Sequence, residues 1–234
     1  MSLWPQAILF DFDGVLVNSE PLHFWAFQEV LRAEKIAVTE QEYYSEYVGC
    51  DDRNAFARVF EKNGREFDPR TRLRVLTGKK EKMRAQIDSR KYQALPGVEG
   101  FVRALWRNYP LGVCSGSLRD EVELMLEGVA LRDCFPVVTA AEDVTVGKPD
   151  PQGYLVTMKK LSEKLRKGIR PGDCLVIEDA PAVIRNVRAV GFPVLAVTTS
   201  HPPDRLREAQ ANWITKSLDC DAVQKILPGL RMTR

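Results

Sequence analysis

Short apolar runs recur along the chain at 7–10, 111–115, 137–139, 174–177 and 194–197, with a more polar run at 213–215. Each has the length of a strand, and the runs at 7–10 and 174–177 are apolar at every position, as a strand covered on both faces requires. Between them the period changes. Val122, Met125, Leu126 and Val129 recur at helical spacing, as do Leu155, Met158, Leu161 and Leu165, and then Ala180, Ile184, Val187 and Gly191. Strands that alternate with amphipathic helices predict an α/β fold with a mostly parallel sheet covered on both faces. In such sheets ligands bind beyond the carboxyl ends of the strands.

One interval breaks the alternation. From about residue 15 to residue 95 no strand appears, and the apolar positions read helical: Phe24, Phe27, Val30 and Leu31, then Ala55, Phe56, Val59 and Phe60, then Leu73, Leu76, Met83 and Ile87. Pro96-Gly97 marks the return to the sheet. The predicted organisation is a sheet domain of residues 1–16 and 93–234, with a helical unit, 17–92, inserted after the first strand and placed to close over its carboxyl end.

Composition changes this picture little. The 234 residues suffice for a sizeable core, and 44% hydrophobic with 28% charged residues is ordinary for a soluble globular protein. Lys and Arg number 34 against 32 Asp and Glu, a net charge of +2 that points to neither a nucleic-acid nor a membrane partner. The basic cluster from Arg70 to Arg84 reads as a solvated helix face. Five cysteines, an odd number and never at Cys-x-x-Cys spacing, fit a reduced, cytoplasmic protein. The first residues carry neither a basic n-region nor a long apolar segment, so neither secretion nor membrane insertion is expected. No surface stripe demands a partner, and a monomer is the expectation.

The candidate chemistry falls at the ends of the predicted strands. Ile8-Leu9-Phe10 runs into Asp11-Phe12-Asp13-Gly14. Carboxylates at the end of a buried strand are costly unless a cation or hydrogen-bond donors hold them. Alone, the pair reads equally as a turn with solvated acids. The second strand leads into Ser115-Gly116-Ser117, small residues with free main-chain N–H groups ahead of a helix, which suit an anion; Ser115 reads also as a helix cap. Gly147-Lys148-Pro149-Asp150-Pro151 is a rigid loop that fixes a lysine before a helix opening near Gln152. Leu175-Val176-Ile177 ends in Glu178-Asp179, a pair that could equally cap a helix. Four acids converging at one crevice with a lysine and an anion nest need a cation, and hard oxygen ligands beside a phosphate point to Mg²⁺.

On these four motifs, in this order, the chain resembles the phosphohydrolases of the haloacid dehalogenase superfamily, and within it the branch of β-phosphoglucomutase and related sugar phosphatases. The resemblance covers essentially the whole chain and implies a Rossmann-like core with an inserted helical cap, hinged near residues 16–20 and 92–95. It implies that Asp11 is the nucleophile that forms an aspartyl-phosphate. Asp13 becomes the acid that protonates the leaving oxygen and then the base that activates water. Asp11, Asp13 through its main-chain carbonyl, and Asp179 would hold Mg²⁺, with Glu178 beside them. Ser115, Gly116 and Lys148 would bind the transferring phosphoryl group. His23 falls one turn into the first cap helix, where mutase-like members carry a histidine near the leaving group, and Lys80 falls where a cap lysine contacts substrate.

Three departures from the family pattern stand out. Asn18 replaces the Asp that most relatives carry after the first motif, Ala180 and Val183 replace a favoured Ser and Gly, and Arg53 is shifted from where the mutase places its phosphate-gripping arginine. The resemblance implies a Mg²⁺-dependent phosphatase of a small phosphorylated metabolite, a sugar or polyol phosphate. The alternative is a phosphosugar mutase of the β-phosphoglucomutase type, which shares the aspartyl-phosphate and which His23 and Lys80 keep open. The acid at position 13 speaks against dehalogenation, and the intact set of acids and lysine against a silent binding module. The cap, which selects the substrate, is the least legible part of the chain.

Overall fold

Six parallel strands form one sheet: β1 (Ala7–Phe10), β2 (Leu111–Cys114), β3 (Val137–Thr139), β4 (Cys174–Glu178), β5 (Val194–Val197) and β6 (Trp213–Thr215). The computed structural model describes residues 4–233. The strand order is β3-β2-β1-β4-β5-β6, so the chain winds outward from β1 in one direction, returns, and winds outward from β4 in the other. The point of reversal lies between β1 and β4, which pair in register from Ala7 opposite Cys174 to Phe10 opposite Ile177. A crevice opens at the carboxyl ends of strands at such a reversal. β4 runs one residue further than its apolar stretch, so Glu178 is the last residue of the strand.

The alternation of side chains along β1 separates two cores. Ile8 and Phe10 face one side of the sheet, where Phe10 packs edge-on against Phe101 and Phe135 with ring centroids 6.4 and 5.6 Å apart. Ala7 and Leu9 face the other, with Tyr154, Val176 and Phe192. Replacing a ring such as that of Phe10 by Ala would cost about 3–5 kcal/mol, since the surroundings cannot collapse to fill the space.

Four helices occupy the interval without strands: α1 (Glu20–Ala33), α2 (Glu40–Glu46), α3 (Asp52–Lys62) and α4 (Pro69–Asp88). Thr39, Asp51 and Asp68 cap α2, α3 and α4 by accepting hydrogen bonds from main-chain N–H groups of their first turns. Their shared core is aromatic, with Phe27 stacked on Phe56 at 4.5 Å and flanked by Tyr43 and Tyr47. The entry and exit segments of this unit run side by side: Asn18 N–H donates to the Gln93 carbonyl and Leu95 N–H to the Leu16 carbonyl. The remaining helices, α5 (Val98–Trp106), α6 (Arg119–Gly128), α7 (Gln152–Leu165), α8 (Pro181–Ala189), α9 (Pro203–Glu208) and α10 (Cys220–Ile226), belong to the sheet domain. None of the described helices is long and apolar enough to cross a membrane.

Two of the contacts that fasten the helical unit over the sheet lie at the start of α3 and just before it. The N-terminus of α3 meets the loop that carries Lys148: Asn54 Nδ2 donates to the Lys148 carbonyl at 3.1 Å, and Asp51 N–H approaches the same oxygen at 3.4 Å. Gly49, at a φ of +83°, sits against Ala180, and a side chain at 49 would bring its Cβ within 2.5 Å of the Ala180 Cβ. The positive φ and the close approach both require glycine there.

Candidate active site

Asp11 follows β1 directly, and its N–H donates to the Ile177 carbonyl, which anchors it beside β4. Lys148 Nζ lies 2.5 Å from Asp11 Oδ1 and 3.0 Å from Glu178 Oε2. Glu178 is fully buried and all its acceptor capacity near the sheet is used. Oε1 receives the N–H groups of Asp179 and Ala180, and Oε2 receives Lys148 and, at 2.7 Å, the Tyr154 hydroxyl. Burial raises its proton affinity, but Lys148 and the Tyr154 hydrogen bond outweigh that and hold it ionised. The lysine in turn is held charged, well above its ordinary value, because Asp11 and Glu178 overcome the cost of burying it.

Asp179 completes this side, with Ser200 Oγ donating to its Oδ2 at 2.5 Å. Gly14, at a φ of +77°, turns the chain past it so closely that a Cβ there would lie 2.4 Å from Asp179 Oδ2. Asp11, Glu178 and Asp179 each offer a carboxylate oxygen within 4.8 Å of the others. Burial first, and then the Glu178 charge, push Asp11 and Asp179 well above the usual carboxylate range. One lysine against three buried acids leaves negative charge uncompensated, and the unsaturated oxygens are those of Asp11 and Asp179. Hard carboxylate oxygens with residual negative charge fit a divalent cation such as Mg²⁺.

Asp13 faces the other way. Its Oδ1 accepts from Ser19 Oγ at 2.5 Å and His23 Nε2 at 3.1 Å, and its Oδ2 from Ser117 Oγ at 2.8 Å and Ser115 Oγ at 3.2 Å. Burial works to raise Asp13, yet His23, Ser19 and Ser117 together hold it far below the ordinary carboxylate range. Behind His23 stands Lys79, whose Nζ lies 3.0 Å from Nδ1 and which also pairs with Asp52. Burial and Lys79 lower the proton affinity of His23, while Asp13 and Glu20 raise it beyond its ordinary value. The Lys79 ammonium at Nδ1 and the Asp13 carboxylate at Nε2 pull the ring in opposite directions, and the proton on Nε2 is the one directed at Asp13. Glu20 is buried beside this chain of contacts and accepts from the Tyr43 hydroxyl at 2.6 Å. One cavity of about 50 Å³ opens among these groups, lined from the sheet by Asp11, Lys148 and Asp179 and from the helices by His23, Asp52 and Lys79.

The structure thus gathers Asp11, Asp13, Gly116, Lys148 and Asp179 around one cleft, with His23 on its helical side and Glu178 buried beneath Lys148. The Asp13 carboxylate points away from the Asp11–Asp179 pair, which leaves only its main-chain carbonyl for a metal. Ser115 turns its hydroxyl onto Asp13 and accepts from Ser117 N–H, so Gly116 and Ser117 line the cleft in its place. Lys80 is a correction. Its side chain is 51% exposed and pairs with Asp120 at 3.0 Å, outside the cleft, whereas Lys79 is 3% exposed and inside it. A stripe through Leu73, Leu76 and Met83 would carry Lys80 inward. The helix instead buries Thr71, Val75, Lys79, Met83 and Ile87, four residues apart, and leaves Leu73 70% exposed. Ser19, Glu20, Asp52, Tyr154 and Ser200 were not legible as site residues, whereas Ser117 stood in the Ser115-Gly116-Ser117 motif and acts through its hydroxyl on Asp13. The run Ser19-Glu20-Pro21, with a proline suited to a first helical turn, is a signal that could have found two of them.

Residues 8–197 match the model of the haloacid dehalogenase-like hydrolase family. Among curated proteins, the chain is 29% identical over 229 residues to the validoxylamine A 7'-phosphate phosphatase of Streptomyces hygroscopicus subsp. limoneus, covering 87% of this chain and 91% of that one. It is 30% identical over 191 residues to the fructose-1-phosphate phosphatase YqaB of Escherichia coli (strain K12), covering 81% and 95%. Among solved structures, the fold matches the β-phosphoglucomutase of Clostridium difficile with a TM-score of 0.80 at 22% identity, over 94% of this chain and 96% of that one.

Proposed function

The chain belongs to the haloacid dehalogenase-like hydrolases, and we propose from that premise that it is a Mg²⁺-dependent phosphatase of a small phosphorylated sugar or polyol, working through an aspartyl-phosphate on Asp11. One observation carries the reading: two carboxylates open on the same cleft in opposite electrostatic settings. Asp11 lies against Lys148, and Asp13 sits in a ring of hydroxyls and an imidazole. Paired acids with divided environments mark nucleophile and acid–base roles. The activities of the two curated phosphatases point to the same substrate class.

In this reading an Asp11 oxygen attacks phosphorus and the alcohol oxygen leaves with a proton from Asp13. The donors around Asp13 keep it ionised before substrate enters. An anionic phosphoryl group arriving beside it raises its proton affinity, so that it takes up the proton of the monoanionic ester or one from solvent and becomes the acid for the first step. Asp13, left as a carboxylate, then takes a proton from water, which attacks the phosphorus on Asp11. Lys148, together with the main-chain N–H of Gly116, offsets charge on the phosphoryl oxygens. Asp11, Asp179 and the Asp13 carbonyl would hold Mg²⁺, with Glu178 beside them, and the bound cation would supply the positive charge that lets one anion approach another. The helical unit acts as a cap that excludes bulk water.

The decisive experiment is hydrolysis of p-nitrophenyl phosphate with Mg²⁺, by the parent and by Asp11→Asn. Release by the parent, loss in the variant and loss on chelation support the reading. A silent parent would sink it. Run beside it with a hexose monophosphate and its bisphosphate, an isomerisation assay in which isomer outruns phosphate would replace it with the mutase. Arg53 favours the phosphatase, since its guanidinium turns to Asp51 and the Ala141 carbonyl rather than into the cleft.

A further inference from the structure

The helical wall of the cleft is acidic where a doubly charged substrate would need cations. Asp52, the first residue of α3, lines the cleft and pairs with Lys79. Glu20, on α1, lines it as well and keeps one carboxylate oxygen on Tyr43. Among the described residues that line the cleft, the lysines are Lys79 and Lys148. Lys148 is engaged by Asp11 and Glu178 at the phosphoryl end, and Lys79 by Asp52. The helical end therefore presents two carboxylates to one ammonium, with the Tyr43 and Tyr47 rings and Phe27 beside them. His23, which also lines the cleft, is spent on Asp13, and Arg53 and Lys80 are turned elsewhere, to Asp51 and Asp120.

A second phosphate or a carboxylate on the departing alcohol would enter a space where charge is poorly screened, and would face Asp52 and Glu20 without an unpaired cation. Hydroxyl or ammonium groups would meet carboxylate acceptors there instead. Like charge placed against one class of ligand discriminates as effectively as attraction toward another.

We propose that this cleft selects phosphate monoesters whose alcohol part presents hydroxyl or ammonium donors and no second anion, and that Asp52 is the specificity-determining residue. The proposal rests on the phosphatase reading and narrows it. Its test is kcat/KM with Mg²⁺ for matched pairs: fructose 1-phosphate against fructose 1,6-bisphosphate, and glucosamine 6-phosphate against 6-phosphogluconate. The non-anionic member is expected to be preferred by tenfold or more in each pair, and Asp52→Asn to narrow that ratio at least threefold. The ratio is read within one variant, so a general loss of activity in Asp52→Asn does not disturb it. Equal or faster turnover of the anionic members overturns the proposal, as does turnover of p-nitrophenyl phosphate with none of the four esters. An unchanged ratio in Asp52→Asn overturns the assignment to that residue. If p-nitrophenyl phosphate is also untouched, the phosphatase reading itself falls and takes the proposal with it.

Discussion

The two walls of the cleft are built differently. On the sheet side the acids sit at or just past the ends of buried strands, Asp11 after β1 and Glu178 and Asp179 at the end of β4, and Lys148 is held by a proline-bounded loop. On the helical side His23, Asp52 and Lys79 come from three separate helices and hold one another only through side chains. In the proposed function, chemistry that tolerates no displacement falls to the rigid wall, and recognition to the adjustable one. The helical wall nonetheless reaches the chemistry at one atom, the Asp13 Oδ1 that accepts from His23.

The largest effect should come from breaking the rigid wall at its proposed nucleophile. Asp11→Asn is expected to lower phosphate release about 10⁴-fold, some 5 kcal/mol of barrier, while leaving the circular dichroism of the folded chain unchanged. Removing Lys148 tests whether that wall is also structural. Lys148→Ala strands the Asp11 and Glu178 carboxylates in a buried site and should cost about 3–5 kcal/mol in urea unfolding without metal. A variant as stable as the parent would show that the lysine serves the reaction alone.

Glu121 examines the seam between the walls. It is buried on α6, and burial, opposed by His23 and Lys79, pushes its carboxyl from 4.5 up to about 7. A raised carboxyl means that the fold prefers the protonated form. The cost of ionising it is absent below about pH 4.5 and complete above about pH 7. Glu121→Gln has no proton to lose, so its stability relative to the parent should improve by about 2–3 kcal/mol between pH 4.5 and pH 8. A difference that shrinks with pH would refute the assignment.

The smallest effect is the sharpest comparison within one helix. Lys79→Ala should lower kcat about 10–100-fold by freeing His23 from its partner, whereas Lys80→Ala should stay within about twofold. Kinetics of the two variants side by side, with equal losses, would erase the distinction between the inner and outer faces of α4.

That adjacent pair also shows how far the sequence could be read. The sheet was legible because β1 and β4 are apolar throughout and end in acids, so the motif names both the strand and the residue beyond it. Each strand end leaves little freedom for where Asp11 or Asp179 can point. A helix leaves more, because a one-residue error turns a side chain by about 100°. In α4 the buried face includes Thr71 and Lys79, polar residues that no apolar pattern reveals, while Leu73 lies in solvent. Partners such as Ser200, Tyr154 and Asp52 are separated in sequence from what they touch, and only the fold brings them there.

The carbonyl of Lys148 is where the two walls are joined, by Asn54 from α3. The peptide that carries the buried ammonium of the cleft is thus the same one on which the helical unit rests. One bond holds both, so a change that loosens the unit also loosens the lysine's own backbone. A change at residue 54, remote from phosphorus, would be felt as a change in the rhythm of the cycle.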